Sequence, residues 1–171
     1  MKNLTFLVLL ILLSSCKNDD DSNTPTNPID QLPPATQTGE NTFGCLINGE
    51  PFSITNSSQI GAVYQGGLLQ FSATFEQGSS DESVAFNLIN PLNENQVYEF
   101  DNNSYRAGYS LLSDGLICIY EFDDTLEGNM IFTNIDTVNF VISGTFEFST
   151  VNDDCENINI TNGRFDLQYI P

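Results

Sequence analysis

Apolar and polar residues alternate with a period of two through most of the chain beyond residue 41, the pattern of strands that lay one face on a core. The longest run is 138–149. Val138, Phe140, Ile142, Phe146 and Phe148 share one face with Gly144, while Asn139, Ser143, Thr145, Glu147 and Ser149 take the other, with Val141 the exception. Each large side chain on such a face contributes about 1.5–3 kcal/mol when buried. Shorter alternations run through Leu69/Phe71/Ala73/Phe75, Val84/Phe86/Leu88 and Leu116/Cys118/Tyr120/Phe122. Turn chemistry separates them at Asn48-Gly49, Gly66-Gly67, residues 76–82, Asp114-Gly115 and Glu127-Gly128-Asn129.

The last strand changes phase. Ile158 and Ile160 are even, whereas Phe165, Leu167 and Tyr169 are odd. One extra residue restores the register, and a β-bulge at Asn162-Gly163 with Gly163 in the left-handed region supplies it. A tight hairpin at the same dipeptide is the alternative, but it leaves a very short first arm. Helical spacing is not sustained anywhere in the domain. The pattern therefore predicts an all-β domain over residues 41–171, a single antiparallel β-sandwich or partly closed barrel of about nine or ten strands.

The first 40 residues have a different character. After Lys2, residues 4–13 form an apolar run broken only by Thr5, too short for a hydrocarbon core that needs roughly 20 helical residues. Residues 1–15 read as an export signal. Leu13-Ser14-Ser15-Cys16 resembles the bacterial lipobox, which implies cleavage before Cys16 and acylation of its thiol. Multiple acyl chains, each buried methylene contributing about 0.8 kcal/mol, would anchor the chain firmly to a membrane. The following Lys17-Asn18-Asp19-Asp20-Asp21 resembles the surface-export signal of Bacteroidota lipoproteins, which implies an outer-membrane location facing the medium; a plain solvated linker is the simpler reading. Residues 16–40, rich in Asn, Asp, Ser, Thr and Pro, are expected to form a disordered stalk.

Composition narrows the chemistry. The chain contains no histidine and no tryptophan, which removes Ser-His-Asp and Cys-His catalysis and imidazole metal sites. Against 23 acidic residues stand 4 basic ones, for a net charge of −19. Arg106 and Arg164 are the only bases in the domain, so nucleic acid is excluded as a partner. Lipidation of Cys16 leaves Cys45, Cys118 and Cys155, enough for one disulfide and one free thiol, with the pairing open. Cys45 and Cys118 fall on apolar strand parities and Cys155 in a loop.

Asn41-Thr42-Phe43-Gly44-Cys45-Leu46-Ile47-Asn48-Gly49, then Ser143-Gly144-Thr145-Phe146-Glu147-Phe148 and Ile160-Thr161-Asn162-Gly163-Arg164-Phe165-Asp166, resemble the marks of an uncharacterised family of Bacteroidota lipoproteins. The resemblance covers both ends of the domain and implies fold and location, but no mechanism.

Four groups are candidate sites. Arg164 is either a clamp for a ligand's carboxylate or sulfate, or, the reading favoured here, half of a cross-strand ion pair. Tyr105 and Tyr109, with Arg106 on the opposite face, would make a stacking platform for glycans if exposed; core or rim packing is the commoner fate of such residues. Asp153, Asp154 and Glu156, like Asp123-Asp124, offer oxygen ligands for calcium but lack the repeating spacing of an EF-hand, which favours solvated turns. Thr125 and Thr137 lie in Asp-Thr-aliphatic triplets that match a Bacteroidota O-glycosylation pattern. Catalysis survives only as a two-carboxylate glycoside hydrolase, and no pair of acids stands out. The sequence thus predicts a non-catalytic surface lipoprotein with a glycan or protein partner, the alternative being a small barrel around an apolar ligand. No cofactor is expected beyond the calcium option.

Overall fold

The computed structural model describes residues 27–89, 93–101 and 103–171. The signal segment, Cys16 and the acidic run behind it lie outside the described residues. Among the described residues no helix is long and apolar enough to cross a membrane.

Among the described residues eleven strands form two antiparallel sheets. They are β1 (Thr42–Ile47), β2 (Glu50–Ile54), β3 (Ile60–Gln65), β4 (Leu68–Gln77), β5 (Ser80–Ile89), β6 (Val97–Glu99), β7 (Tyr105–Ser113), β8 (Leu116–Tyr120), β9 (Thr125–Asp136), β10 (Val141–Thr150) and β11 (Ile158–Gln168). One sheet has the order β2-β1-β11-β10-β9-β6 and the other β3-β4-β5-β7-β8. The sheets face each other as a sandwich and do not close into a barrel, so the barrel alternative is corrected.

Local chemistry explains the hairpins. Asn48-Gly49, Gly66-Gly67 and Asp114-Gly115 all have both residues at positive φ, the mirror-image turn whose twist matches the strands it joins. Between the sheets, Phe86 of β5 packs on Phe71 at 4.8 Å, on Phe146 at 4.8 Å and on Phe148 at 5.9 Å. Phe165 reaches Phe71 at 4.9 Å. Phenylalanine rings fill the centre of the sandwich.

The bulge in β11 is present, but the left-handed residue is Asn162 (φ 55°), not Gly163. Asparagine tolerates that region better than most L-residues. Gly163 serves a different need: a Cβ there would lie 2.5 Å from Cδ2 and from the carbonyl oxygen of Phe146. Gly163→Ala is therefore expected to destabilise the domain by about 1–3 kcal/mol through overpacking, read as a lower urea midpoint with an unchanged m-value.

Three turn and strand assignments are corrected. Val138 and Phe140 are 81% and 40% exposed and belong to a turn, not to β10. The Asp136 carboxylate accepts hydrogen bonds from the Val138 and Asn139 amides at 2.8 and 2.9 Å, and this side-chain turn ends the strand before the apolar pair is reached. Glu127-Gly128-Asn129 is no turn but part of β9, where a Cβ on Gly128 would meet the Glu147 carbonyl at 2.4 Å. The stretch 76–82 is mostly strand, with the chain reversing at Gly78.

Residues 27–40 of the expected stalk are corrected: they pack on the domain, while 16–26 lie outside the described residues. Residues 27–40 run across the outer face of β1, β11 and β10 as a strap, starting with a 3-10 turn at Pro28–Gln31. Leu32 and Pro33 are buried, and Pro33 leaves no room for a Cβ on Gly44. Asp166, 1% exposed, fastens the strap. Its carboxylate accepts from Thr36 Oγ1 (2.6 Å) and the amides of Thr38 (3.1 Å), Gly39 (2.8 Å) and Glu40 (3.1 Å), and from Ser143 Oγ of β10 (2.7 Å). The strap also covers Val141, which explains that residue's departure from the alternation.

Candidate functional site

At one end of the sandwich the sheets part around a cleft of about 600 Å³. Three regions build it. The β1–β2 hairpin contributes Ile47, Glu50 and Phe52. Strands β5, β7 and β8 supply Glu82, Tyr109, Leu111, Leu116 and Tyr120. The third wall is the 151–157 loop with the first residue of β11, through Asp154, Cys155, Glu156 and Ile158.

That loop is held in place at several points. Cys118 of β8 forms a disulfide with Cys155; Cys45, buried in β1, is the free thiol. Asn152 Nδ2 donates to the Ile119 carbonyl at 2.9 Å. On the other side, Asn48 Nδ2 donates to Glu156 Oε1 at 3.1 Å, and Asn48 Oδ1 accepts from the Asn159 amide at 2.8 Å. The cleft thus has fixed walls.

Two tyrosines line its interior with ring centroids 5.5 Å apart. Tyr109 donates its hydroxyl proton to Glu82 Oε1 at 2.6 Å, and Tyr120 donates to the Glu156 carbonyl. Burial pushes the Tyr109 hydroxyl well above the ordinary tyrosine range, and the hydrogen bond and charge of Glu82 push it further. Tyr120 is raised by burial and by Glu156. Both are neutral donors at physiological pH, Tyr109 to a carboxylate and Tyr120 to a backbone carbonyl. Cys45 is pushed up first by burial and then by the charge of Glu82, so it is a neutral thiol with no nucleophilic character.

Of the residues picked out in the sequence, Tyr109, Asp154, Cys155 and Glu156 reach this cleft, as does Cys118. The others lie elsewhere. Tyr105 packs inward against Tyr98 at 5.0 Å. With Tyr109 only 4% exposed, the pair is not an open stacking platform, because both share the core-facing parity of β7. Arg106, on the outer face, sits 5.8 Å over the Phe122 ring and donates to the Asn103 carbonyl. Arg164 donates to the Pro33 carbonyl at 3.4 Å and has no ion-pair partner among the described residues; the cross-strand pair is corrected to a contact with the strap. Asp153 is exposed, and among the described residues no three acidic or thiol groups converge to hold a metal ion. Asp124 caps its own turn through the Glu121 amide. Thr125 is 5% exposed and donates to the Ala107 carbonyl at 2.7 Å, which closes it to glycosylation in the folded state, whereas Thr137 is exposed.

Comparison with protein-family models, curated proteins and solved structures gave no match.

Phe52, Glu82 and Tyr120 were not singled out by sequence reasoning. The signal for Glu82 was available: it continues the Val84/Phe86/Leu88 parity by one more inward position, an acid where an apolar residue is expected. Tyr120 follows Cys118 on the inward parity of β8. What no alternation pattern conveys is that the open ends of β5, β7 and β8 meet the β1–β2 hairpin.

Proposed function

We propose that the chain is a lipid-anchored, non-catalytic lipoprotein of the outer membrane, displayed to the medium, whose sandwich domain binds its partner in the end cleft. The observation that carries the binding role is the cleft itself: about 600 Å³, walled by aromatic and aliphatic residues, in a molecule whose centre is otherwise filled. Pockets of a few hundred cubic ångströms with apolar walls and a few fixed polar groups are the usual form of a ligand site. Anchoring rests on the apolar leader and the lipobox-like Leu13-Ser14-Ser15-Cys16.

Two measurements test this reading. Protease added to intact cells is expected to digest the domain, and mass spectrometry of the native protein is expected to find acyl chains on Cys16. A protected domain overturns surface display; a free thiol at Cys16 still joined to its leader overturns the anchor. For binding, the chain from Lys17 onward is screened against glycans and proteins, with and without calcium. Leu116→Trp narrows the mouth from an exposed rim position and is expected to weaken capture at least fivefold. Equal capture by the variant would move binding away from the cleft.

A second reading draws on the acids around the same cleft. A carboxylate-based glycoside hydrolase would use Glu82 with Asp154 or Glu156, and aryl glycoside turnover abolished by Glu82→Gln would establish it in place of the binding module.

A further inference from the structure

The proposed cleft is anionic as well as apolar. Glu50, Glu82, Asp154 and Glu156 line it, and neither arginine of the domain does. Glu82 stands on the inward parity of β5, half-buried. Tyr109 fixes its Oε1, and among the described residues nothing donates to its Oε2. That oxygen faces the cleft with no arginine beside it, free to accept a charge-assisted hydrogen bond from a cationic donor. Tyr109 and Tyr120 line the same space, and aromatic rings add to the attraction for an organic cation that comes within about 6 Å of them.

From this we infer that the cleft takes a small organic cation: an ammonium group on an apolar aromatic or alkyl body. The inference rests on the cleft being the binding site and adds the charge of what enters. The ammonium pairs with Glu82 Oε2 against the tyrosine rings, while the body lies along Phe52, Leu111 and Ile158. An anion of the same shape meets four carboxylates and is rejected. A bare metal ion lacks a close three-group cage and makes no use of apolar walls. The chain's net charge of −19 concentrates cations around it and speeds encounter.

The test uses three probes with one body and different heads, 4-phenylbutylammonium, 4-phenylbutan-1-ol and 4-phenylbutyrate, titrated calorimetrically into the mature lipoprotein in zwitterionic nanodiscs, with empty nanodiscs as the blank. The cation is expected to bind at least tenfold more tightly than the alcohol, and the butyrate not at all. Glu82→Gln keeps the Tyr109 contact geometry and is expected to remove most of that preference while leaving alcohol binding unchanged. Asp81→Asn makes the same charge change on the exposed face of the same strand and is expected to leave all three affinities alone. Equal binding of cation and alcohol, or equal losses in the two variants, overturns the cation inference and leaves the binding cleft standing. If none of the probes binds, both fall.

Discussion

Replacing Asp166 with asparagine (D166N) is expected to lower the unfolding free energy by about 3–4 kcal/mol and to release residues 27–40 from the sheet. Asp166 accepts five hydrogen bonds, three from strap amides and two from hydroxyls. Asparagine keeps one acceptor oxygen and turns an amide donor toward groups that are themselves donors. Each buried donor left unpaired costs about 1–3 kcal/mol, and the loss of charge weakens the remaining bonds. Urea unfolding of the chain from Lys17 onward gives the stability change, and amide exchange at Thr38, Gly39 and Glu40 reports the strap. A loss below about 1 kcal/mol, with those amides still protected, would show that the strap is held by Leu32 and Pro33 instead.

The same carboxylate sets an acid limit. Burial alone would raise its pKa, but the hydrogen bonds from Thr36, Ser143, Glu40 and Gly39 outweigh burial and hold it below the usual carboxylate range. A depressed folded-state pKa contributes stability that is complete above the unfolded value, near 3.9, and is lost as pH falls through the folded value. The native domain is therefore expected to lose stability steeply below about pH 4, with the strap opening first. Asp101 and Asp136, lowered by hydrogen bonds from their own turns, act in the same direction. The acid limb in D166N should flatten without vanishing.

Why the strap escaped sequence reading is instructive. Alternation finds a strand's core face, and it found Phe71, Phe146 and Phe165 because each sits between polar neighbours, and Phe86 because it lies between the small Ala85 and Asn87. It assigns the opposite face to solvent by default. On β10 and β11 that face is covered, by a segment with little apolar area of its own. In the pattern the covering shows only as Val141, apolar between Phe140 and Ile142; Asp166, between Phe165 and Leu167, obeys the alternation and is buried through hydrogen bonds rather than apolar contact. Val138 and Phe140 mislead for a related reason. They extend the parity of β10, but the Asp136 side chain captures the backbone amides that a continued strand would need. The cleft was legible in fragments, through Tyr109, Cys155 and the acids beside it. Its assembly depends on which loops lie at the same end of the sandwich, a property of topology that no local pattern records.

The Cys118–Cys155 bond links that topology to the cleft. Its reduction, or the Cys118→Ser/Cys155→Ser double variant, is expected to cost about 4 kcal/mol on the chain-entropy model for a closed loop of this length, the two cysteines being separated by 37 residues. Reduction without substitution isolates the cross-link from the added penalty of a serine at buried position 118. The loss should not be spread evenly. Strand β10 lies inside the closed loop and is paired along both edges, whereas the 151–157 loop keeps only isolated contacts such as Asn152 to Ile119 once the bond is cut. Amide exchange is therefore expected to accelerate first in that loop, before β10 opens, and affinity for 4-phenylbutylammonium is expected to fall with it. Cys45 supplies the internal control: buried and held neutral, it should resist thiol reagents until global unfolding. A reduced protein with unchanged exchange at 151–157 and undiminished probe affinity would show that the hydrogen bonds of this loop, those with Asn48, Tyr120 and Ile119 among them, hold the wall of the cleft without the disulfide.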